Sequence, residues 1–261
     1  MENDLKKIDI GDGAAIPSPD DKQLLSAWWI AFVGTIALLI ALPIYDPDTY
    51  GAVLAFIPDG IQVTFEVTIL SIALALIIGL ITGLGRISEN RIFNLLASLY
   101  VEVVRGIPLL VQLFYIYFAL GRIVQVPDIV AAVIAMSFCY GAYMGEVFRA
   151  GIMSIDFGQS EAALAQGFNK AQTMRYVILP QAWRTILPPV GNEFIALLKD
   201  TSLVSILAVA DILRRGREYA ASSFDYFETY TIIALVYLLI TLILSKLLAH
   251  MEQRLNYYEK R

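Results

Sequence analysis

The chain has 261 residues, 58% of them hydrophobic and 16% charged, with a mean hydropathy of +0.66. Soluble domains carry about 25% charged residues, so this composition predicts a membrane protein. The net charge of -5 argues against nucleic-acid binding, and one cysteine with one histidine excludes a disulfide framework or multi-ligand metal site within one chain. Residues 1–26 are acidic and rich in Gly and Pro, and predict a cytoplasmic N-terminal tail without a secretory signal.

Six apolar segments follow that are long enough to cross a bilayer as helices. The predicted fold class is therefore an all-α integral membrane protein with six transmembrane helices. The six spans are expected at residues 27–44, 61–85, 93–120, 128–150, from about 186 onward, and 230–248.

Several spans carry features that predict how they pack. Gly79 and Gly83 in span two form a small-xxx-small pair that lets another helix approach closely. Pro108 should kink span three. In span five, residues 197–203 suggest a helix–loop–helix break, and residues 213–228 are expected to form a loop.

The distribution of basic residues predicts the orientation of the chain. With six spans, both termini and the loop at 151–184 lie on one side, which holds thirteen of the nineteen basic residues. By the positive-inside rule that side is cytoplasmic. Arg214, Arg215 and Arg217 lie opposite and run against the rule.

A polar stretch between spans four and five contains residues that are typical of helix starts and helix ends. Ser160 is expected to cap a helix whose first turn contains Glu161, close to the positive end of the helix dipole. Gly167 suits the position just after the helix end. Asn169 is expected to cap a second short helix that Pro180 then breaks. The stretch thus predicts a helix–Gly–helix hairpin.

The spacing of this hairpin resembles the EAA loop of permease subunits of bacterial ABC importers. The family pattern is Glu-Ala-Ala, three residues, Gly, nine residues and Ile-x-Leu-Pro, with Val in place of Ile here. A surface hairpin of a globular protein is the alternative interpretation. The residues that match are Glu161, Ala162, Ala163, Gly167, Val177, Leu179 and Pro180.

Other stretches resemble one branch of that family, the histidine-, glutamine- and glutamate-type polar amino-acid permeases. This resemblance implies a five-helix type I importer core at 60–248, with the helix at 27–45 as an addition and residues 249–261 as a cytoplasmic tail. Asp156 stands where the family often has Pro. The matching stretches are Arg105-Gly-Ile-Pro-Leu-Leu-Val-Gln112, Ala142-Tyr-Met-Gly-Glu146, Ser154-Ile-Asp-Phe-Gly-Gln159 and Leu198-Lys-Asp-Thr-Ser-Leu203.

The same resemblance implies a function and a set of partners. The chain would be the permease of an importer in the bacterial inner membrane that moves polar amino acids (the glutamate, glutamine, asparagine and basic class) by alternating access. Expected partners are separate ATPase subunits that bind ATP and Mg, a second permease subunit (a copy or a paralog), an extracytoplasmic amino-acid-binding protein and the bilayer, but no nucleic acid.

No catalytic constellation and no phosphate-binding Gly-x-x-x-x-Gly-Lys-Ser/Thr loop occurs in the chain, so it needs no cofactor of its own and is not expected to be an enzyme alone. An ion-coupled secondary transporter is the competing class, but it would need paired broken helices in two repeats. A non-transporting membrane scaffold is a third class.

Charged and polar side chains at membrane depth are candidate substrate ligands, because burying them in a bilayer costs a few kcal/mol each. Lys199, Asp200, Thr201 and Ser202 would lie at an opened backbone, although a local Lys–Asp ion pair explains them equally well.

The remaining candidates for the substrate path have strong structural explanations. Glu146 can pair with Arg149, and Glu102 with Arg105, within one helix. Solvation at the membrane interface or simple packing would also explain the others, which are Glu66, Tyr143, Asn192 and Glu193.

Overall fold

The computed structural model describes residues 26–124 and 126–256, apart from the side chains at positions 120 and 256. All regular secondary structure in these ranges is helical, which confirms the all-α fold. Expectations for residues 1–25 and 257–261, including most of the N-terminal tail and the end of the C-terminal tail, lie outside the described ranges.

Eleven α-helices occupy the described ranges, joined by short π and 3₁₀ turns. The π turns span Pro47–Gly51 and Met174–Ile178, and the 3₁₀ turn spans Thr201–Leu207. The helices are α1 (Ala27–Tyr45), α2 (Ala52–Phe56), α3 (Pro58–Arg86), α4 (Arg91–Gly106), α5 (Leu109–Ile123), α6 (Asp128–Met153), α7 (Phe157–Ala165), α8 (Lys170–Thr173), α9 (Leu179–Asp200), α10 (Ile212–Ser223) and α11 (Tyr226–Asn256).

Four helical segments of the described chain are long and apolar enough to cross a membrane. They are Ala27–Tyr45, Pro47–Arg86, Asp128–Met153 and Tyr226–Leu255, and the bent pair α4 and α5 adds a fifth if it counts as one span. Helix α9, the expected span five, carries four charged side chains among its 22 residues and is not in this set. The six-span count therefore stays a prediction.

Helices α3 and α6 form the centre of the molecule through a glycine-lined contact. A side chain at Gly79 would collide with Met144, and one at Gly83 would meet Cβ of Phe148 at 2.7 Å. The expected close approach at these glycines is confirmed. The main apolar core extends from this contact to α9.

The chain turns sharply between α4 and α5, where the two helix axes differ by 110°. The turn falls at Ile107 and Pro108, because the residue before a proline is driven out of the helical conformation. The predicted kink is thus a full break. Gln112 closes it by donating to the carbonyls of Val104 and Ile107, at 2.6 and 2.7 Å.

Most of the segment 213–228, which was expected to be a loop, is helical and forms α10. Residues 47–56 form a π turn and α2 between α1 and α3. The carboxylate of Asp211 starts α10 by accepting from the backbone amides of Leu213 and Arg214. The loop prediction was wrong because α10 is polar on most of its surface and resembled a solvated connection.

The basic cluster that runs against the positive-inside rule has acidic partners in the structure. Arg214 donates to Glu218 at 2.7 Å, and Arg215 pairs with Asp59 at 3.0 Å, at the start of α3. These pairs offset much of the local positive charge. They also join α10 to the beginning of span two.

Helix α1 lies against α11. The indole of Trp28 donates to the carbonyl of Leu242 at 3.1 Å, and the ammonium of Lys246 lies 4.8 Å from the indole ring centre. The cation–π contact and the hydrogen bond fix one end of α1 against α11.

The end of α9 differs from the expected helix–loop–helix break. The helix passes directly from Asp200 into the 3₁₀ turn Thr201–Leu207, and the hydroxyl of Thr201 donates back to Leu198 at 2.6 Å. The backbone is therefore not open at residues 199–202, because 3₁₀ hydrogen bonding continues the helix. It departs from helical geometry at Ala208, which adopts a φ of 66°.

Candidate functional site

The hairpin formed by α7 and α8 begins earlier than the sequence suggested. Asp156 caps α7, its carboxylate accepting from the amide of Gly158 at 2.7 Å. Ser160 and Glu161 therefore lie inside the helix, and the expectations that Ser160 caps it and Glu161 occupies its first turn were wrong. The helix extends back to Asp156 because each added residue contributes a backbone hydrogen bond once the helix has formed.

Gly167 ends α7 as predicted. Its φ is +90°, its amide donates to Leu164 at 3.0 Å, and the next amide, of Phe168, donates to Ala163 at 3.1 Å. These two bonds define a Schellman motif, which requires a left-handed residue at this position. A side chain at Gly167 would meet no atom within 4 Å, so the requirement for glycine comes from the backbone.

The second helix of the hairpin, α8, starts where the sequence predicted, but it does not end as predicted. Asn169 and Gln172 form a reciprocal capping box at the start of α8. Pro180 does not break the helix: the chain forms the π turn Met174–Ile178 and continues directly into α9. The wider turn accommodates a proline that has no amide hydrogen and would crowd a normal α turn.

One face of α7 is exposed and carries a distinctive set of side chains. Phe157 is 74% exposed and Leu164 is 47% exposed, and Glu161 lies between them at helical spacing. The opposite face is anchored by Ala163, which is buried, and Ala162 is exposed beside Glu161. The free face therefore combines two apolar side chains with one carboxylate.

The rest of the hairpin joins it to the membrane helices. Ile178 is buried in the main core, and Val177 and Leu179 are packed against it. Pro180 is exposed at the start of α9. Because α8, the π turn and α9 form one helical path, a displacement of the hairpin acts directly on α9.

A second group of polar side chains lies where α4, α6 and α9 meet. The hydroxyl of buried Tyr140 donates to the carboxylate of Asp200 at 2.7 Å, and its ring lies 5.7 Å from that of Tyr143. The guanidinium of Arg105 lies 5.5 Å from the ring centre of Tyr143. Glu193 is close enough to interact electrostatically with both Arg105 and Asp200. This acid–tyrosine–arginine group presents both signs of charge.

The structure brings only some of the expected path residues into this group. Asn192 and Lys199 are exposed on the neighbouring face of α9, seven residues apart. Thr201 is fully buried and Ser202 half-buried in the 3₁₀ turn. Glu66 is exposed on α3 and lies apart from the group.

Glu146 belongs to a charged network at the other end of α6. Its carboxylate pairs with Arg149, as expected, and also with Arg86 at the end of α3. Arg86 in turn lies 3.6 Å from Glu102. The expected pairing of Glu102 with Arg105 was therefore wrong, because Arg105 turns towards Tyr143 instead.

Residues 75–257 match the family model described as the inner membrane component of binding-protein-dependent transport systems. The chain belongs to this family.

Several relatives of this inner membrane component are transport permeases. The glutamine transport system permease of Escherichia coli strain K12 is 40% identical over 201 residues, which are 76% of this chain and 92% of the relative. The arginine transport system permease of Bacillus subtilis strain 168 is 36% identical over 77% of this chain and 93% of its own length. The L-cystine transport system permease of the same organism is 41% identical over 76% and 86%.

Solved structures agree with the helical architecture. An amino acid ABC transporter crystallised with histidines superposes with a TM-score of 0.72 at 39% identity, over 83% of this chain and 98% of that one. An inward-facing MetNI methionine ABC transporter gives a TM-score of 0.66 at 19% identity, over 77% and 97%, which shows a shared fold.

Sequence reasoning missed three members of these sites. Tyr140 was not among the candidates and Arg105 was assigned to an in-helix pair, because their partners lie on helices distant in the chain. Phe157 was overlooked because α7 was expected to start after it. Its position four residues before Glu161 is the signal that would have placed it on the same face.

Proposed function

We propose that this permease moves polar amino acids of the glutamate, glutamine, asparagine and basic class into the cytoplasm, driven by ATP hydrolysis in separate subunits. The observation that carries this proposal is the group formed by Arg105, Tyr140, Tyr143, Glu193 and Asp200. A free amino acid carries an ammonium and a carboxylate, and this group offers acids for the first and a guanidinium for the second. The glutamine and arginine permeases among the relatives are consistent with such a substrate.

The placement of these charges supports a substrate path rather than a structural role alone. Charged side chains inside a membrane protein usually face an aqueous cavity or a partner charge. Asn192 and Lys199 extend the polar surface along the exposed side of α9. A second permease subunit, either a copy or a paralog, would complete the path by packing against this side, since membrane components of this kind pair about a two-fold axis.

Coupling to ATP is assigned to the α7–α8 hairpin. The face made by Phe157, Glu161 and Leu164 suits an apolar groove with a basic residue on an ATPase subunit, which would bind ATP and Mg. Ala162, Ala163, Gly167, Leu179 and Pro180 shape the hairpin and its junction with α9. A binding protein on the outside would deliver the amino acid. The permease has no catalytic role of its own in this scheme.

The proposed location is the bacterial inner membrane, with both termini in the cytoplasm. The positive-inside count supports this orientation, with Arg214, Arg215 and Arg217 as exceptions that their acidic neighbours do not remove, because the rule counts basic residues and not net charge.

Reconstitution tests the proposal. The complex of permease, ATPase and binding protein in vesicles should show amino-acid uptake and amino-acid-stimulated ATP hydrolysis. Asp200→Asn removes the charge while the side chain still accepts from Tyr140, so assembly should persist and uptake should fall about tenfold or more. Asp48→Asn, the same change at an exposed outer position, is the matched control and should leave uptake unchanged.

Three results would contradict the proposal. Normal uptake by Asp200→Asn, or loss of assembly in that variant, would give Asp200 a structural role only. Uptake that follows an ion gradient without ATP would instead indicate a secondary transporter. Absence of any coupling between amino acids and ATP hydrolysis would indicate a scaffold.

A further inference from the structure

A buried carboxylate links the outer helix α10 to two membrane helices. Asp211 is 0% exposed, and its carboxylate caps α10 by accepting from the amides of Leu213 and Arg214. The hydroxyl of Tyr237, on α11, donates to the same carboxylate at 3.3 Å. A buried carboxylate with several donors is a strong anchor, because bonds to charged groups are stronger than neutral ones.

The start of α10 is also held directly by α3. The hydroxyl of Thr64 accepts from the amide of Ile212 at 3.2 Å. The backbone of Asp211 passes so close to Gly60 that a side chain at Gly60 would meet its carbonyl oxygen at 2.8 Å. Thr64 also lies close to the Tyr237 hydroxyl, so three helices converge on this point.

The same tyrosine reaches the turn that follows the proposed substrate group. Thr201, the residue after Asp200, is buried, donates to Leu198 and lies close to the Tyr237 hydroxyl. Two non-glycine residues with left-handed backbone, Ala208 and Phe224, bracket α10, each with a φ of 66°. Such residues are uncommon and break helical continuity, so they separate α10 from the segments on either side.

We propose that Tyr237 and Asp211 form a hydroxyl–carboxylate latch, a pair of positioning residues that holds α10 closed and links it to the substrate turn at Asp200 and Thr201. The inference rests on the proposed transport function. Movement of the 3₁₀ turn when Asp200 binds or releases substrate shifts Thr201 against Tyr237. The shift weakens the bond to Asp211 and frees the outer helix.

Labelling from outside tests the latch in the complete transporter in vesicles. The reporter is an Ala220→Cys substitution on the buried side of α10, where labelling requires the helix to move, in a Cys139→Ala background treated with a membrane-impermeant maleimide. Tyr237→Phe removes only the hydroxyl, so labelling of the nucleotide-free complex should become about tenfold faster, as expected for the loss of one hydrogen bond to a charged group. Tyr230→Phe, the same change at an exposed position on α11, should label at the wild-type rate.

A second variant separates the latch from general destabilisation. Asp211→Asn keeps one oxygen, which can accept from Tyr237 and from the amide of Leu213 but not also from that of Arg214, so labelling should stay within about threefold of wild type, while Asp211→Ala should behave like Tyr237→Phe. The latch would be overturned if the Tyr237→Phe complex were labelled at the wild-type rate, both without nucleotide and when trapped with ATP and vanadate. Equal acceleration in Tyr230→Phe would overturn it as well. Labelling needs no transported amino acid, so a wild-type complex lacking amino-acid-stimulated hydrolysis would overturn the proposed function separately.

Discussion

Replacing Gly167 with valine tests the coupling hairpin at its most constrained position. Gly167 has a φ of +90° within a Schellman motif, and no atom lies within 4 Å of an added side chain. The effect is therefore one of backbone conformation and not of collision. A side chain in left-handed backbone costs about 1–2 kcal/mol, and a β-branched one lies at or above the upper end.

That cost acts on the end of α7 and leaves the membrane core unaffected. About 2 kcal/mol lowers the equilibrium constant for the native hairpin ending by roughly 30-fold. Losing the motif instead releases the bonds from Gly167 to Leu164 and from Phe168 to Ala163. Gly167→Val should therefore insert and fold, but uptake and amino-acid-stimulated ATP hydrolysis in reconstituted vesicles should fall together.

A graded series makes the reasoning refutable. Gly167→Asn should be mildest, because asparagine tolerates left-handed backbone, with Gly167→Ala intermediate and Gly167→Val most severe. Gln166→Val puts the same side chain on the adjacent exposed residue, whose φ is -81°, and should retain coupling. Full stimulation in Gly167→Val, or equal loss in Gln166→Val, would show that the left-handed turn is not what coupling requires.

Three further predictions concern orientation, contact and pH. A cysteine at Asn169 should react only with reagents that reach the cytoplasm and one at Asp48 only from outside, and the reverse pattern would contradict the topology. Glu161→Ala should weaken ATPase docking in a salt-dependent manner if the carboxylate meets a basic partner, and unchanged affinity across salt concentrations would exclude that contact. Burial raises the pKa of Asp211 to about 6 from an ordinary value of 3.8, so the folded state holds this proton more tightly. The resulting stability is fully present below about pH 4 and is lost as the pH rises through about 6, by up to roughly 3 kcal/mol. Thermal unfolding of the solubilised complex should show this loss, and Asp211→Asn should abolish it.

The parts of the fold that follow from local chemistry were predictable. Gly167 and Asn169 act within one turn of their own positions, so their roles in ending α7 and starting α8 are confirmed. The close approach of α6 at Gly79 was also predictable from the sequence, because only a residue without a side chain allows two helix backbones to come so near. Asp156 and Ser160 are both good caps, and sequence alone did not show which of them begins the helix.

The parts that depend on distant pairing were not predictable. Tyr140 and Asp200 lie 60 residues apart, and the sequence contains nothing that pairs their side chains. Arg105 contacts Tyr143 instead of Glu102, which is nearer in sequence, because the break at Pro108 directs the end of α4 towards α6. Helix α10 was missed because its anchors, Gly60 and Tyr237 among them, lie on other helices.

The π turn at Met174–Ile178 determines how α8 is rotated relative to α9 about their common axis. Each residue of an α-helix rotates the chain by about 100° and advances it by about 1.5 Å. A π turn holds one residue more than an α turn, so it offsets the angular register of α8 from that of α9. Because this turn absorbs the extra residue, deleting one residue there would restore ordinary winding, whereas deleting one residue in the α-helical part of α9 would swing the Phe157–Leu164 face around the α9 axis by about 100°. Every side chain needed for coupling would remain, yet the face would point away from its partner.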